Sequence, residues 1–272
     1  MTTSTPSHPG PASPAPGSAS RRAWHALGWA GGALLDFVYP PSCLACGSAM
    51  DVASERLCPA CWAAVLHEPA ARCLRCACPL EQAAAECANC AGWETAFERA
   101  VVLARFTGPV QQAVHALKFG RHAELGPELG RRMAHALTDL LQPVGLLVPV
   151  PLHPARQRER GYNQTVGLAL GLSRGLAEQG RQVPVAERLL RRSRQTRQQA
   201  RLGPAERRQN LAGAFACTGL VPPCEVVGVV DDVLTTGATL DACSRVLSQC
   251  GAQRVWALAV ASPFSPPPAA RS

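Results

Sequence analysis

Two groups of residues in this 272-residue chain have the types and spacing for chemistry. The first is an apolar run, Val226-Val227-Gly228-Val229-Val230, followed by Asp231-Asp232 and then by Thr235-Thr236-Gly237-Ala238-Thr239. An unbroken apolar run of this length reads as a strand buried on both faces. Beyond the loop, Leu240, Cys243, Val246, Leu247 and Cys250 recur at helical spacing, and Gly251 stands where a helix C′ residue belongs. The loop therefore lies at the carboxyl end of a strand and the start of a helix, where ligands bind in open α/β sheets. Free amides and the helix dipole favour an anion there. The three threonine hydroxyls add donors, so the loop suits a phosphate. The two aspartates suit vicinal hydroxyls or a hydrated Mg²⁺. A phosphate beside a diol describes a ribose 5-phosphate. The alternative is a strand, an acidic pair capping a helix, and no phosphate. A Walker A loop is excluded, because no Gly-Lys-Ser/Thr is present.

The second group is cysteine. Nine of the 13 cysteines fall between positions 43 and 90. Cys43 and Cys46, Cys58 and Cys61, Cys73 and Cys76, and Cys87 and Cys90 form four C-x-x-C pairs. Two such knuckles complete a tetrahedral thiolate zinc site, so two sites are expected. Sequential pairing puts Cys43, Cys46, Cys58 and Cys61 on one ion and Cys73, Cys76, Cys87 and Cys90 on the other. Interleaved pairing and an iron–sulfur cluster stay open. All-thiolate sites leave no open coordination position, which argues for structural rather than catalytic metal. Such a short segment holds little core, so metal would supply its folding energy. Cys78 is spare, and Cys217, Cys224, Cys243 and Cys250 read as packing residues.

The elements that position these groups alternate. Residues 97–106 read as a strand, and 109–125 as a helix that starts at Pro109 and breaks at Gly120. Residues 126–141 read as a second helix and 145–154 as a strand ending in a proline turn. A basic loop from 156 leads into a helix with Val166, Leu170, Leu172 and Leu176 on its apolar face. Residues 185–210 are polar, and 254–262 form a last strand. Alternation of this kind implies a mostly parallel sheet.

Charge adds less than its size suggests. The formal net charge is +8, from 27 basic and 19 acidic residues, and the only lysine is Lys118. Arg188, Arg191, Arg192, Arg194, Arg197 and Arg201 crowd one segment, either a solvated basic loop or an anion-binding one. The first 20 residues have the composition of a disordered tail. Residues 23–38 are apolar but broken by His25, Gly31-Gly32 and Asp36, too short to span a bilayer and unlike an export signal. A short amphipathic helix and a cytoplasmic address are expected.

The segment "VVDDVLTTGATL" resembles the phosphoribosyl pyrophosphate (PRPP) motif of the type I phosphoribosyltransferases. Cysteine knuckles, "ALKFGR", "VPVPLH", "RERGYNQ" and this motif, in that order, are similar to the ComF family over residues 36–262. The resemblance implies an α/β type I phosphoribosyltransferase fold, a mostly parallel sheet flanked by helices, behind a small zinc-binding domain. The expected boundaries are 1–34 for a disordered tail and short helix, 35–95 for the cysteine-rich domain, 96–262 for the phosphoribosyltransferase-like domain and 263–272 for a second tail. It assigns Thr235, Thr236, Gly237, Ala238 and Thr239 to the 5-phosphate, Asp231 and Asp232 to the catalytic ribose and Mg²⁺ contacts, and the Pro151-Leu152-His153 turn to the pyrophosphate. His153 is equally readable as a plain turn residue. Arg194 and Arg197 fall in a loop that closes over the site in related enzymes. Lys118 and Arg121 either reach PRPP phosphates or, for Lys118, complement a helix dipole. Arg158, Arg160 and Asn163 suit a second anion site or a helix cap. The family association is with incoming single-stranded DNA, and so with DNA-uptake or translocation proteins as partners. Three functions compete: a transferase with an unnamed acceptor, a PRPP or nucleotide sensor, and a single-stranded-DNA-binding accessory protein.

Overall fold

The computed structural model describes residues 41–50, 55–66, 72–80, 87, 88, 90, 93–193, 211 and 213–264. The expected N-terminal helix and both tails, as well as Arg194 and Arg197, lie outside these residues. Helix α1 (Pro59–Val65) belongs to the cysteine-rich part. It is followed by β1 (Arg99–Arg105), α2 (Gly108–Phe119), α3 (Leu125–Ala136), β2 (Val144–Pro149), α4 (Pro154–Arg160) and α5 (Gln164–Ala177). The chain continues through β3 (Leu190–Arg192), β4 (Phe215–Cys217), β5 (Val226–Val233), α6 (Ala238–Gln249) and β6 (Val255–Ser262).

Four strands make one parallel sheet in the order β1-β6-β5-β2. Its strands are apolar through their middles because both faces are covered. Helices α2, α3 and α5 and residues Leu57, Trp62 and Val65 of the cysteine-rich part pack against Val101, Leu103, Val226 and Val230 on one face. Helix α6 and the antiparallel pair β3–β4 pack against Val102, Val227 and Val229 on the other. The fold class expected from the sequence is present. Outside β2, Leu147 pairs with the 184–186 segment, its amide donating to Pro184 at 3.0 Å and its carbonyl accepting from Ala186 at 2.8 Å. Outside β1 lies the second cysteine cluster. Both sheet edges are thus covered by irregular chain, which protects their unpaired backbone groups.

Helices α3 and α5 meet backbone to backbone. A Cβ on Gly130 would lie 2.1 Å from the Leu168 carbonyl oxygen, and one on Gly171 would lie 2.1 Å from that of Pro127. No other residue fits there. The apolar face of α5 accordingly runs Leu168, Leu172, Leu176, four residues apart, while Leu170 points away and is 45% exposed. The expected 126–141 helix ends at Ala136, where the Thr138 hydroxyl bonds back to the Ala134 and His135 carbonyls, and a 3₁₀ turn follows at Asp139–Leu141. The expected basic loop is partly a helix, α4. Pro154 opens it, His153 caps it, and Gly161 closes it in the left-handed region at φ 85°.

Candidate functional site

Because the sheet is parallel, the ends of β2 and β5 fall at the same edge. The Pro151-Leu152-His153 turn, the aspartates and the threonine loop are therefore brought together. The two aspartates close β5, and alternation along a strand sends them to opposite faces. Asp232 is buried on the helical side. Its Oδ1 accepts from Lys118 Nζ at 2.7 Å and its Oδ2 from Gln164 Nε2 at 2.8 Å. Lys118, at the end of α2, is thus paired with Asp232. Burial first, and the charge of Asp232 second, push the Asp231 carboxyl up to about 7, against the pull of Lys118 and Arg192. Asp231 Oδ1 accepts from the Asp232 amide at 2.8 Å. The two carboxylates are therefore not equivalent: Asp232 is held by Lys118 and Gln164, and Asp231 is pushed up by burial.

Gly237 is the N-cap of α6 with φ 75°, a conformation few residues other than glycine adopt without strain, and no side chain caps this helix start. Asp241 donates its amide to the Gly237 carbonyl at 2.7 Å as the first helical bond. Thr235 is exposed, Thr236 and Thr239 are half-buried, and Ala238 is buried. The missing Cβ of Gly237 faces the protein rather than the cradle: it would lie 2.7 Å from Trp93 Cζ2.

His153 Nδ1 accepts from the Ala155 amide at 3.2 Å, so its side chain serves as the cap of α4. Asn163 caps α5 through the Thr165 amide and also donates to the Val150 carbonyl at 3.1 Å, fixing the turn after β2. Arg160 donates to Gln164, which joins the "RERGYNQ" segment to Asp232. Arg121 is exposed between α2 and α3, with φ 59°. Arg192 is half-buried, its guanidinium 5.3 Å from the Phe215 ring centre, and is the site-side arginine of the arginine-dense segment that falls within the described residues. Sequence reasoning missed Gln164 and Trp93. The signal for Gln164 is its place directly after a helix cap; Trp93 carries none beyond following the last cysteine pair.

The thiols of Cys43, Cys46, Cys58 and Cys61 lie within 4.8 Å of one another, as do those of Cys73, Cys76, Cys87 and Cys90, in the sequential grouping. The Cys46–Cys58, Cys73–Cys90 and Cys76–Cys87 sulfurs are each 3.7 Å apart. Four thiolates about 2.3 Å from a zinc ion stand about 3.8 Å from each other, so both groups fit a structural ion. Backbone amides of Cys58 and Arg75 donate to Cys43 and Cys73 sulfur, at 3.2 and 3.4 Å. Cys78 stands outside both clusters, and Cys243 is core.

Residues 34–91 match the double zinc ribbon domain family. Over 226 residues, 80% of this chain and 96% of the relative, the sequence is 32% identical to Competence protein F of Haemophilus influenzae. The chain belongs to the ComF family. The DNA utilization protein YhgH of Escherichia coli K12 is 32% identical over 193 residues, 68% of this chain and 82% of its own. Its namesake in Salmonella typhimurium is 29% identical over 226 residues, 80% and 96%. Among the described residues of this ComF-family chain, no helix is long and apolar enough to cross a membrane.

Proposed function

We propose that this ComF-family chain binds PRPP with Mg²⁺ at the end of β5 as a phosphoribosyltransferase, and that it serves the uptake and use of single-stranded DNA. The observation that carries the first part is the constellation at Asp231 and Asp232, set directly before a helix start whose N-cap is a left-handed glycine. The loop amides and threonine hydroxyls receive the 5-phosphate. Asp231, once ionised, accepts from a ribose hydroxyl. Lys118 and Gln164 hold Asp232 in place from the other side. A magnesium ion bound with PRPP would supply positive charge for the pyrophosphate, and Asp231 and Asp232 would be the carboxylates to hold its water shell. In the transfer, the ribosyl C1–O bond to pyrophosphate breaks and a bond from C1 to the acceptor forms, with pyrophosphate leaving. The turn at Pro151–His153 would receive that leaving group.

The DNA part rests on the relatives named Competence protein F and DNA utilization protein YhgH. It also rests on a surface: Arg156 and Arg158 are exposed on α4, and Arg160 lies 5.6 Å from the ring centre of Phe119, itself 74% exposed. Cations around an exposed aromatic ring suit a single strand, whose bases stack and whose phosphates need neutralising. Calorimetric titration with PRPP and Mg²⁺, then with an oligodeoxynucleotide at two salt concentrations, tests both parts. PRPP is expected to bind stoichiometrically and with Mg²⁺ dependence, and DNA with a steep salt slope. No heat with PRPP at millimolar concentration overturns the first part, and salt-independent or absent DNA binding the second.

The raised Asp231 carboxyl has a stability consequence. The native state keeps this proton to about pH 7, while the unfolded chain releases it near the ordinary value of 3.8. Between these values the native state holds more protons, so the contribution of Asp231 to stability falls as pH rises. Asp231→Asn is expected to melt above the parent, by a margin that grows from about pH 4 and levels off above about pH 7. A margin that is constant with pH contradicts the titration.

A further inference from the structure

The second cysteine cluster reaches the threonine loop through a short linker. The Trp93 amide donates to the Cys90 carbonyl at 3.0 Å, and Arg75, between Cys73 and Cys76, donates to the Trp93 carbonyl. The Trp93 ring is thereby held by the cluster at both ends of its backbone. It sits edge-on against Phe97, with ring centres 5.3 Å apart and planes at 82°. Both rings abut the turn of the loop: the space a Gly237 Cβ would need ends 2.7 Å from Trp93 Cζ2 and 3.4 Å from Phe97 Cζ. Three residues later the linker touches the same helix start again. The Ala96 amide donates to Asp241 Oδ1 at 2.6 Å, while Asp241 Oδ2 pairs with Arg245 at 3.1 Å. Asp241 is the residue whose amide makes the first bond of α6, to Gly237.

The loop is thus seated on an indole and tied down by one amide, and both come from the chain leaving the second cluster. Of the described residues in 72–90, only Cys76, Ala77 and Cys90 are buried apolar ones. Beyond its hydrogen bonds to β1 and Trp93, that segment depends on a metal ion to hold one conformation. The first cluster makes its contacts elsewhere, with Arg56 to Glu124 and Trp62 under Arg132.

We propose that Trp93 and the Ala96 amide are positioning residues for the Thr235–Thr239 loop, and that metal in the second cluster and a phosphate ester at that loop are coupled. Each then raises the affinity of the other by the same factor. The ligand half rests on the PRPP reading above; the positioning half does not.

The test uses the full-length zinc-loaded protein and two readouts. Amide hydrogen exchange over 234–242 reports the loop without any ligand, and calorimetry with PRPP and Mg²⁺ reports binding. Trp93→Ala is expected to speed exchange over 234–242 about tenfold, while exchange over 59–65 stays at the parent rate. PRPP affinity is expected to fall about tenfold in the same variant. Trp93→Phe, which keeps an aromatic floor, should restore both to within about threefold. Should Trp93→Ala fail to fold, Asp241→Ala carries the same test, because it removes the contact with Ala96. Parent-like exchange over 234–242 in a folded, zinc-replete Trp93→Ala or Asp241→Ala protein overturns the positioning role. Faster exchange with unchanged PRPP affinity overturns the coupling. A parent that binds no PRPP but shows the exchange response leaves positioning standing and removes the PRPP reading instead.

Discussion

The two cysteine clusters share their spacing and differ in what they lean on. The first sends Leu57, Trp62 and Val65 into the core beneath α2 and α3, and its Trp62 ring is covered by Arg132 at 4.0 Å. It is attached by buried apolar surface. The second offers the core little more than Ala77 and is attached by hydrogen bonds. Arg72 donates to the Val102 and Leu103 carbonyls at the open side of β1, and the Ala100 amide donates to the Arg75 carbonyl at 2.7 Å. A sheet edge needs partners for its backbone groups more than it needs apolar cover. The same knuckle is therefore a brace for a helical layer in one place and a strand-edge cap in the other, and the cap stands next to the site.

That contrast can be broken most severely at the ligands. Cys61→Ser and Cys90→Ser should each leave about one zinc per chain where the parent has about two. Cys61→Ser should lower global stability on the order of 3–5 kcal/mol, because a buried tryptophan and its neighbours lose their seat. Cys90→Ser should change the melting of the sheet domain much less and weaken PRPP binding. Urea melts and metal analysis check this, and two variants with the same profile would erase the distinction. Arg72→Ala is the next largest effect. It strands two carbonyls at the β1 edge and should cost about 1–3 kcal/mol, read as faster exchange along β1 rather than in α2. The smallest is Arg132→Ala, which removes a cation from the Trp62 face and should cost about 0.5–1 kcal/mol with no change at β1. Its distant pairs with Glu55 and Glu128, at 3.7 and 3.8 Å, add little.

The parts legible in the sequence are those whose signal is local. Four C-x-x-C pairs grouped as written because each knuckle is closed by its own turn. Strand β5 was marked by its apolar run and the end of α6 by Gly251, which has φ 106°. Helix α4 was not legible, since its seven residues, five of them polar or charged, show no apolar period; only Pro154, His153 and Gly161 at its ends give it away. The face of α5 was misread at Leu170 because glycines, not side chains, make the contact with α3. At the site, the aspartates and the loop were readable, but their partners were not. Lys118, Gln164 and Trp93 arrive from distant segments, and only packing says which carboxylate the lysine meets. The same holds for Gly237, whose neighbour is an indole and not the phosphate cradle.

The central claim is that the end of β5 holds a ribose 5-phosphate, and calorimetry on the Asp231→Asn, Asp232→Asn double variant tests it most directly. Amides keep the shape but remove the Asp231 acceptor and the Asp232 charge that holds Lys118, so the chain should still fold, at lower stability, and PRPP with Mg²⁺ should bind about 100-fold more weakly than to the parent. A folded double variant that binds PRPP as tightly as the parent would contradict the account and leave the aspartates as caps of a strand and a helix.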